Sequence, residues 1–302
     1  MLSAASLLSA SPLLQDERSR VSPYHLHPVL ASTDPLFDAA YDALAAYFGL
    51  RGQLEARADL ARLVDASGCP WICEGVAVVR PLLVLLSADG SLAAVAERYV
   101  AFDPASGLLS GLDANLLVLP AHRGRGLGPV LERLLVHAGR DLLLSHGAGR
   151  HRLGVELGDL EPLQKTTSVD DRQRARLGDA VRRVAVWAQN GYRLLPRSVF
   201  PLSLVGMQGD DGQAVLPPVP MLAILRVGIS QDRSLVHSIE KTWLHTLANH
   251  LYAAHAWADP DAAEQERRLQ QAALAALADT QAPLLPLPQS TGAAIPDFLC
   301  LP

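Results

Sequence analysis

Residues 116–128 read LLVLPAHRGRGLG, an apolar run that leads directly into a glycine-rich turn. After Pro129, apolar residues recur with the period of a helix, at Val130, Leu131, Leu134, Leu135, Ala138 and Leu142. A glycine turn between a strand and a helix N-terminus favours anions, because unpaired backbone N–H groups and the positive end of the helix dipole converge there. The stretch therefore predicts a phosphate site where strand, turn and helix meet.

Three phosphate-binding motifs can be compared with this turn. A P-loop requires Gly-x-x-x-x-Gly-Lys-Ser/Thr, and no lysine lies near the turn. A dinucleotide fingerprint requires Gly-x-Gly-x-x-Gly, and its last glycine would fall on Pro129 or Leu131. The pattern that fits is Arg-x-x-Gly-x-Gly, at Arg123, Gly126 and Gly128. A turn that only connects a strand to a helix is the alternative interpretation.

The fitting pattern resembles the central motif of the GNAT superfamily, the acyl-CoA-dependent N-acyltransferases. A later stretch, residues 183–193 (RVAVWAQNGYR), resembles the second signature of that superfamily, a helix that ends at a glycine and leads into a strand. Gly191 would cap this helix and Tyr192 would be the aromatic residue after it. The resemblance covers roughly residues 35–228, and the order of the two signatures is more specific than either alone.

The resemblance implies an α/β fold, with a mixed, mostly antiparallel twisted sheet flanked by helices and followed by a C-terminal helical extension. We accordingly divide the chain into an N-terminal arm (1–34), an acyltransferase domain (35–228) and the extension with its apolar tail (229–302). The arm has no clear period, and apolar patterns predict helices and strands in the other two parts. The predicted strands are 82–86, 92–102, 153–157 and 221–227, and the predicted helices are 38–48, 234–258 and 261–279.

Composition limits the classes of partner. Apolar residues make up 49% of the chain and charged residues 19%, which suffices for a large buried core. The net charge of −5 disfavours nucleic acid as a partner. No apolar run is long enough to span a membrane, and the first residues lack the basic region of a signal peptide. We therefore expect a cytoplasmic enzyme. The abundant alanine and leucine, with arginine in place of almost all lysine, suggest a bacterium with a high-GC genome, and the apolar tail suggests a homodimer.

Neither the cysteines nor the histidines predict a metal site. The three cysteines form no paired framework, and two of them bracket Pro-Trp-Ile, an awkward spacing for zinc. The predicted C-terminal helices contain His237, His245, His250 and His255, but no two of these histidines are four residues apart. We interpret them as packed or surface residues and expect no metal cofactor.

The resemblance also implies a chemistry. In GNAT enzymes the pantetheine arm of the coenzyme pairs with the fourth strand, where that strand diverges from its neighbour. Here Leu116, Leu117 and Val118 would hold the thioester and pantetheine of acetyl-CoA or another acyl-CoA, with the Leu116 N–H facing the oxyanion. An amine of a small-molecule or peptide acceptor would attack the thioester directly. The residues expected around the diphosphate are Arg123, Gly124, Arg125, Gly126, Leu127 and Gly128.

The usual acid and base of the superfamily are missing from their positions. The common base positions fall at Leu112 and Ala114, and Trp187 stands where a tyrosine often protonates the leaving thiolate. The candidate replacement bases are Glu97 on the predicted third strand, Asp113 at the start of the fourth and Glu156 on the fifth. Without a base, an acceptor of low pKa is favoured, because about one α-amine in ten is neutral at pH 7, against about one lysine side chain in 2,500. A degenerate domain that binds acyl-CoA as a sensor or scaffold is the alternative function.

Overall fold

A computed structural model of the chain describes residues 15–48, 54, 56–66, 69–147, 149, 153–160, 183–204, 219–227, 237–256 and 260–288. Parts of the predicted N-terminal arm, of helix 234–258 and of the apolar tail lie outside these ranges. The described helices are α1 (Gln15–Val21), α2 (Pro35–Phe48), α3 (Arg57–Ala66), α4 (Leu127–Ser145), α5 (183–189), α6 (Lys241–His255) and α7 (Pro260–Ala276).

The described strands form one large sheet and one small sheet. They are β1 (His25–Val29), β2 (Trp71–Cys73), β3 (Val76–Val79), β4 (Leu82–Leu86), β5 (Leu92–Asp103), β6 (Leu108–Val118), β7 (Leu153–Leu160), β8 (Arg193–Leu195), β9 (Leu202–Leu204), β10 (Val219–Val227), β11 (Ser238–Glu240), β12 (Gln281–Pro283) and β13 (Leu285–Pro286). In the large sheet the main order is β1-β4-β5-β6-β7-β10-β8-β13. β2 and β3 extend this sheet next to β5, β9 pairs with β10, and β11 pairs with β12 in the small sheet.

The pairing directions confirm the predicted fold class. Every described strand pair is antiparallel except β6 with β7, which is parallel. A parallel pair needs a long crossover connection, and α4 provides it between these two strands. The glycine turn leads into this crossover helix, as the motif predicts. The mostly antiparallel sheet therefore contains one parallel junction, and the candidate site lies there.

Helices cover both faces of the sheet. We call the side covered by α2, α3 and α6 the front face, and the side covered by α1, α4 and α5 the back face. The side chains of β5 point alternately to the two faces of the sheet: Val95 packs against α2 on the front face, whereas Ala94 and Ala96 pack against α4 on the back face. Because both faces are buried, β5 reads as a nearly continuous apolar run rather than as an alternating one.

Several element boundaries differ from the predicted ones. Helix α2 begins at Pro35 because the preceding Asp34 accepts a hydrogen bond from the Leu36 N–H at 2.9 Å. The predicted helix 234–258 begins only at Lys241, because residues 238–240 form β11 and pair with β12. Within the predicted N-terminal arm, α1 and β1 are regular elements, and β1 pairs with β4 at the edge of the large sheet.

Gly139 lies in the middle of α4, where the helix comes very close to the sheet. A Cβ atom on Gly139 would lie 2.4 Å from Cγ2 of Val100 and 2.5 Å from its Cβ, and Val100 is fully buried. We expect Gly139→Ala to lower the free energy of unfolding by about 3 kcal/mol, because overpacking outweighs a gain of about 1 kcal/mol in helix propensity. Chemical denaturation of the variant measures this change.

A second glycine of the same helix provides the matched control. A Cβ atom on Gly128 would meet only Leu116 Cδ2, at an ordinary 3.5 Å, so Gly128→Ala should not lose stability. If Gly139→Ala and Gly128→Ala were equally stable, this account of the helix–sheet contact would be wrong.

Candidate active site

Strands β6 and β7 pair at one end only. Their pairing runs from Leu108 opposite Leu153 to Gly111 opposite Glu156. Both strands continue beyond these last partners, but among the described residues they no longer pair with each other. We call the opening between residues 112–118 of β6 and residues 157–160 of β7 the cleft. The cleft leaves one backbone edge of β6 without a neighbouring strand in the described part of the chain.

A β-bulge in β6 explains why the two strands separate. The pairing of β6 with β5 passes from Ala114 opposite Arg98 to Leu112 opposite Tyr99, so Asp113 is an extra residue with no partner across the pair. A bulge bends its strand and increases the local twist. Because it lies just beyond the end of the β6–β7 pairing, the bulge turns β6 away from β7 and opens the cleft.

The backbone of Leu116 and Val118 faces the cleft. The Leu119 N–H donates a hydrogen bond to the Ala93 carbonyl at 3.0 Å, which places the polar groups of residue 119 on the β5 side. Since hydrogen-bonding direction alternates along an antiparallel strand, residues 116 and 118 direct their N–H and C=O groups away from β5. In agreement, the Val118 carbonyl accepts a hydrogen bond at 2.9 Å from Nε of Arg123.

The glycine turn follows the open strand directly and is exposed. A short 3-10 turn, Pro120–His122, precedes it, and Arg123, Gly124 and Arg125 are all solvent-exposed. Gly124 and Gly126 have φ values of +77° and +70°, which glycine adopts without the steric cost that other residues pay. Gly126 is the N-cap of the 19-residue helix α4 and offers no side-chain cap to its first N–H groups. The turn therefore presents helix N–H groups at an accessible surface.

A basic residue from outside the motif lies against the turn. A Cβ atom on Gly126 would be 2.6 Å from Nη1 of Arg20, which belongs to α1. Helix α1 is held beside α4 by an ion pair between the buried Glu17 and Arg133. Together with the two arginines of the turn, Arg20 gives this surface three guanidinium groups, of which that of Arg20 also forms an ion pair with Asp16 at 3.0 Å. Sequence reasoning missed Arg20, since a seven-residue helix in a polar arm leaves almost no periodic signal.

The first candidate base, Glu156, belongs to a buried charge network on the back face. Nη1 of Arg98 lies 2.8 Å from Glu156 and 3.3 Å from Glu132, and Arg226 forms an ion pair with Glu156. Tyr192 donates hydrogen bonds to both carboxylates. Burial alone raises the pKa of Glu156, but the charges of Arg226 and Arg98 outweigh it, so its pKa lies below the ordinary value. Glu156 is thus a firmly ionised structural carboxylate.

The second candidate base, Glu97, lies on the front face. Its carboxylate accepts hydrogen bonds from Nε of Arg80 and, at 2.7 Å, from Nδ2 of Asn115, and its side chain is 2% exposed. Asn115 is paired with Glu97 across β5 and β6, and it directly precedes Leu116. Arg80 also donates to the hydroxyl of Tyr99 at 2.7 Å. Glu97 is therefore linked through one side chain to the strand segment that borders the cleft.

Other predicted positions are placed only in part. Asp113 is described by its backbone alone, as the bulge residue of β6. Trp187, which stands at the usual tyrosine position, packs edge-on against Tyr192 with ring centroids 4.7 Å apart. The Tyr192 hydroxyl is enclosed by two carboxylates, and burial together with Glu132 and Glu156 raises its pKa well above the ordinary value. Tyr192 is thus a donor to these carboxylates and is not exposed to the cleft.

Two features of the described residues bear on other function classes. No cluster of three or more histidine, cysteine, aspartate or glutamate residues in the described ranges could hold a metal ion. His250 is fully buried and hydrogen-bonded to Ser110 at 2.6 Å. Among the described helices, each is too short or too polar to cross a bilayer.

Solved structures with a similar chain path are acetyltransferases. A GNAT superfamily phosphinothricin acetyltransferase from Sinorhizobium meliloti, in complex with AcCoA, is 14% identical with a TM-score of 0.36, covering 69% of this chain and 91% of its own. A GNAT family acetyltransferase from Staphylococcus aureus is 8% identical with a TM-score of 0.34, covering 67% and 99%. Spermidine N-acetyltransferase from Vibrio cholerae, in complex with CoA and spermine, is 13% identical with a TM-score of 0.32, covering 68% and 96%.

These similarities are distant, with low TM-scores throughout. No protein-family model matches the sequence, and no curated protein matches it significantly. The chemistry of this chain therefore has to be inferred from its own cleft, turn and buried carboxylates.

Proposed function

We propose that this protein is an N-acyltransferase of the GNAT type that moves an acetyl or short acyl group from acyl-CoA to an amine. One observation carries the proposal: the backbone edge of β6 faces the cleft at Leu116 and Val118 and leads into an exposed, basic glycine turn, whose Arg123 donates a hydrogen bond to the Val118 carbonyl. A pantetheine arm, which contains two amide groups, can add to such an edge as a strand does. A diphosphate fits the helix N-terminus that follows.

The residues present suit such a ligand. The backbone N–H and C=O groups of Leu116 and Val118 border the cleft, and the turn is exposed from Arg123 to Arg125, with the Arg20 guanidinium close to Gly126. Arg20, Arg123 and Arg125 supply charge that complements phosphate groups. Acyl-CoA, here a co-substrate, would thus lie along β6 with its phosphates at the N-terminus of α4.

Acyl transfer then needs little covalent help from the protein. The amine nitrogen forms a bond to the thioester carbon, and the Leu116 N–H, which faces the cleft, stabilises the developing oxyanion. The carbon–sulfur bond breaks, and coenzyme A departs as a thiolate that takes a proton from solvent. The proton lost by the amine passes to a carboxylate, directly or through one water. The products are an amide and free coenzyme A.

We assign the role of base to Glu97. Glu97 lies on the front face and is bound through Asn115 to the segment of β6 that holds Leu116. Both carboxylate oxygens of Glu156, on the back face, contact arginines, whereas in Glu97 one oxygen contacts Arg80 and the other accepts a hydrogen bond from the neutral amide of Asn115. Its depressed pKa makes it a poor proton acceptor. Asp113 stays a candidate on the evidence of its backbone position in the bulge.

Two assays test the proposal together. Coenzyme A should raise the midpoint of thermal unfolding, because a ligand that binds only the folded state stabilises it by about 2.7 kcal/mol at 100 times its dissociation constant. Acetyl-CoA with a panel of small primary amines should release free thiol at a rate that depends on the amine. If coenzyme A protected the protein from thermal unfolding but no amine increased thiol release, the protein would be a sensor or scaffold that binds acyl-CoA. Absence of protection would contradict the assignment of the turn.

The cytoplasmic location and the homodimer stay predictions.

A further inference from the structure

Arg98 is a buried arginine whose side chain crosses the back face of β6. It lies on β5, opposite Ala114 of β6, and its side chain is 1% exposed. Its guanidinium nevertheless reaches β7, two strands away: Nη1 lies 2.8 Å from the carboxylate of Glu156, and Nη2 donates a hydrogen bond at 3.2 Å to the Leu157 carbonyl. Nη1 also contacts Glu132 of α4 at 3.3 Å. Arg98 therefore connects β5 to β7 and to α4 across β6.

The crossing point is the position where β6 has no side chain. A Cβ atom on Gly111 of β6 would lie 3.0 Å from Nε and 3.2 Å from Cζ of Arg98. The same Cβ would be 2.9 Å from Cγ2 of Val136, which belongs to α4. The glycine thus leaves room for the guanidinium between β6 and α4, and a larger residue would have to displace it.

The contacts of Arg98 coincide with the end of the β6–β7 pairing. Gly111 opposite Glu156 is the last pair in the described part of the two strands, and Leu157 is the next residue of β7. Leu157 is fully buried, so its carbonyl needs a hydrogen-bond partner. Arg98 supplies that partner from β5. A charged side chain therefore holds β7 at the point where the cleft begins.

We infer that Arg98 is a positioning residue for coenzyme binding, because it holds β7 where the adjacent edge of β6 stays open. The inference rests on the proposed function, in which the pantetheine arm occupies that edge at Leu116 and Val118. Without Arg98 the buried Leu157 carbonyl would lose this donor, and further pairing of β7 with β6 would replace it. β7 would then compete with the coenzyme for the same backbone groups.

Two charge-balanced double variants test this role. Arg98→Met with Glu132→Gln, and Arg226→Met with Glu156→Gln, each remove one arginine and one carboxylate from the same buried network. The second variant is the control, since it keeps Arg98 with its bonds to Glu132 and to the Leu157 carbonyl. Isothermal titration with coenzyme A should show an affinity about tenfold lower in the first variant and near the wild-type value in the control.

Hydrogen exchange distinguishes closure of the cleft from a loss of stability. A ligand-free variant that is only less stable exchanges its backbone N–H groups faster. If β7 closes on β6, the N–H groups of residues 112–118 should instead exchange more slowly than in the wild type, because they gain hydrogen-bond partners. We expect this slowing in Arg98→Met/Glu132→Gln and not in Arg226→Met/Glu156→Gln. Equal exchange of this segment in the two variants, or faster exchange in the first, would overturn the inference.

Gly111→Ala repeats the test without removing a charge. Its new Cβ would displace the guanidinium of Arg98, so coenzyme A affinity should fall and residues 112–118 should again exchange more slowly. This variant decides the question if Arg98→Met/Glu132→Gln does not fold. Unchanged affinity and exchange in Gly111→Ala would contradict the role of Arg98.

The inference and the proposed function fail in different ways. If the wild type binds no coenzyme A, the proposed function fails, whereas hydrogen exchange of the ligand-free variants still shows whether Arg98 keeps β7 apart from β6. If the wild type binds coenzyme A but the two double variants bind it and exchange alike, only the role of Arg98 is wrong.

Discussion

Gly126→Asp is expected to abolish acetyl-CoA binding and to leave the fold intact. The new carboxylate would lie at the N-cap of α4, where it would take the helix N–H groups that the diphosphate needs and would repel phosphate. It would also displace the guanidinium of Arg20, which is 2.6 Å from the new Cβ, or pair with it. The loss of the N–H donors and the change at Arg20 both weaken the binding of the diphosphate, so we expect the affinity for acetyl-CoA to fall by at least about 100-fold.

The cost to folding should be small and can be matched in a control. Gly126 has a φ of +70°, and aspartate tolerates this left-handed conformation better than most residues do, at roughly 1 kcal/mol. Gly90→Asp imposes the same backbone strain at a φ of +81°, in the β4–β5 hairpin, with no atom within 4 Å of the new Cβ. Isothermal titration with acetyl-CoA should show binding by Gly90→Asp and none by Gly126→Asp. Undiminished binding by Gly126→Asp would refute the assignment of the turn.

The glycine turn and the helix that follows it could be predicted because each depends on local chemistry. Gly124 and Gly126 occupy conformations that glycine adopts readily, and an apolar strand before them and a periodic helix after them fix the rest. The Asp89-Gly90 dipeptide between β4 and β5 is a hairpin signal of the same local kind. Such patterns can be recognised in the sequence without knowing which other segments of the chain pack against them.

Other parts of the site depend on contacts between distant segments, and the sequence alone could not show them. Arg20 reaches the turn because α1 packs on α4, more than a hundred residues away in sequence. Glu97 and Glu156 are similar as isolated residues, and only the sheet places them on opposite faces with different partners. The bulge at Asp113, which opens the cleft, is a mismatch between two strands and has no signature within one of them.

Glu97→Gln is expected to reduce kcat by about 10²–10³-fold at pH 7 without changing the affinity for acetyl-CoA, because the amide has almost the same shape but cannot accept the proton. Stability will also fall, since Arg80 loses the charge of its buried partner. Glu156→Gln is therefore the matched control: it removes a buried carboxylate that also pairs with arginine, on the opposite face of the sheet from Glu97. It should lose stability to a similar extent and keep most of its kcat.

The pH dependence separates a base from a structural role. If Glu97 accepts the proton, the ratio of wild-type to Glu97→Gln kcat should shrink as pH rises from 7 to 9, because hydroxide and the growing neutral fraction of the amine replace the missing base. A loss caused only by misplaced backbone at Asn115 and Leu116 would give a ratio that does not change with pH. If the kcat ratio stayed constant, or if Glu156→Gln lost as much kcat as Glu97→Gln, Glu97 would not be the base. Asp113 would then be the remaining candidate, or catalysis would depend on positioning alone, for which an acceptor of low pKa is the suitable substrate.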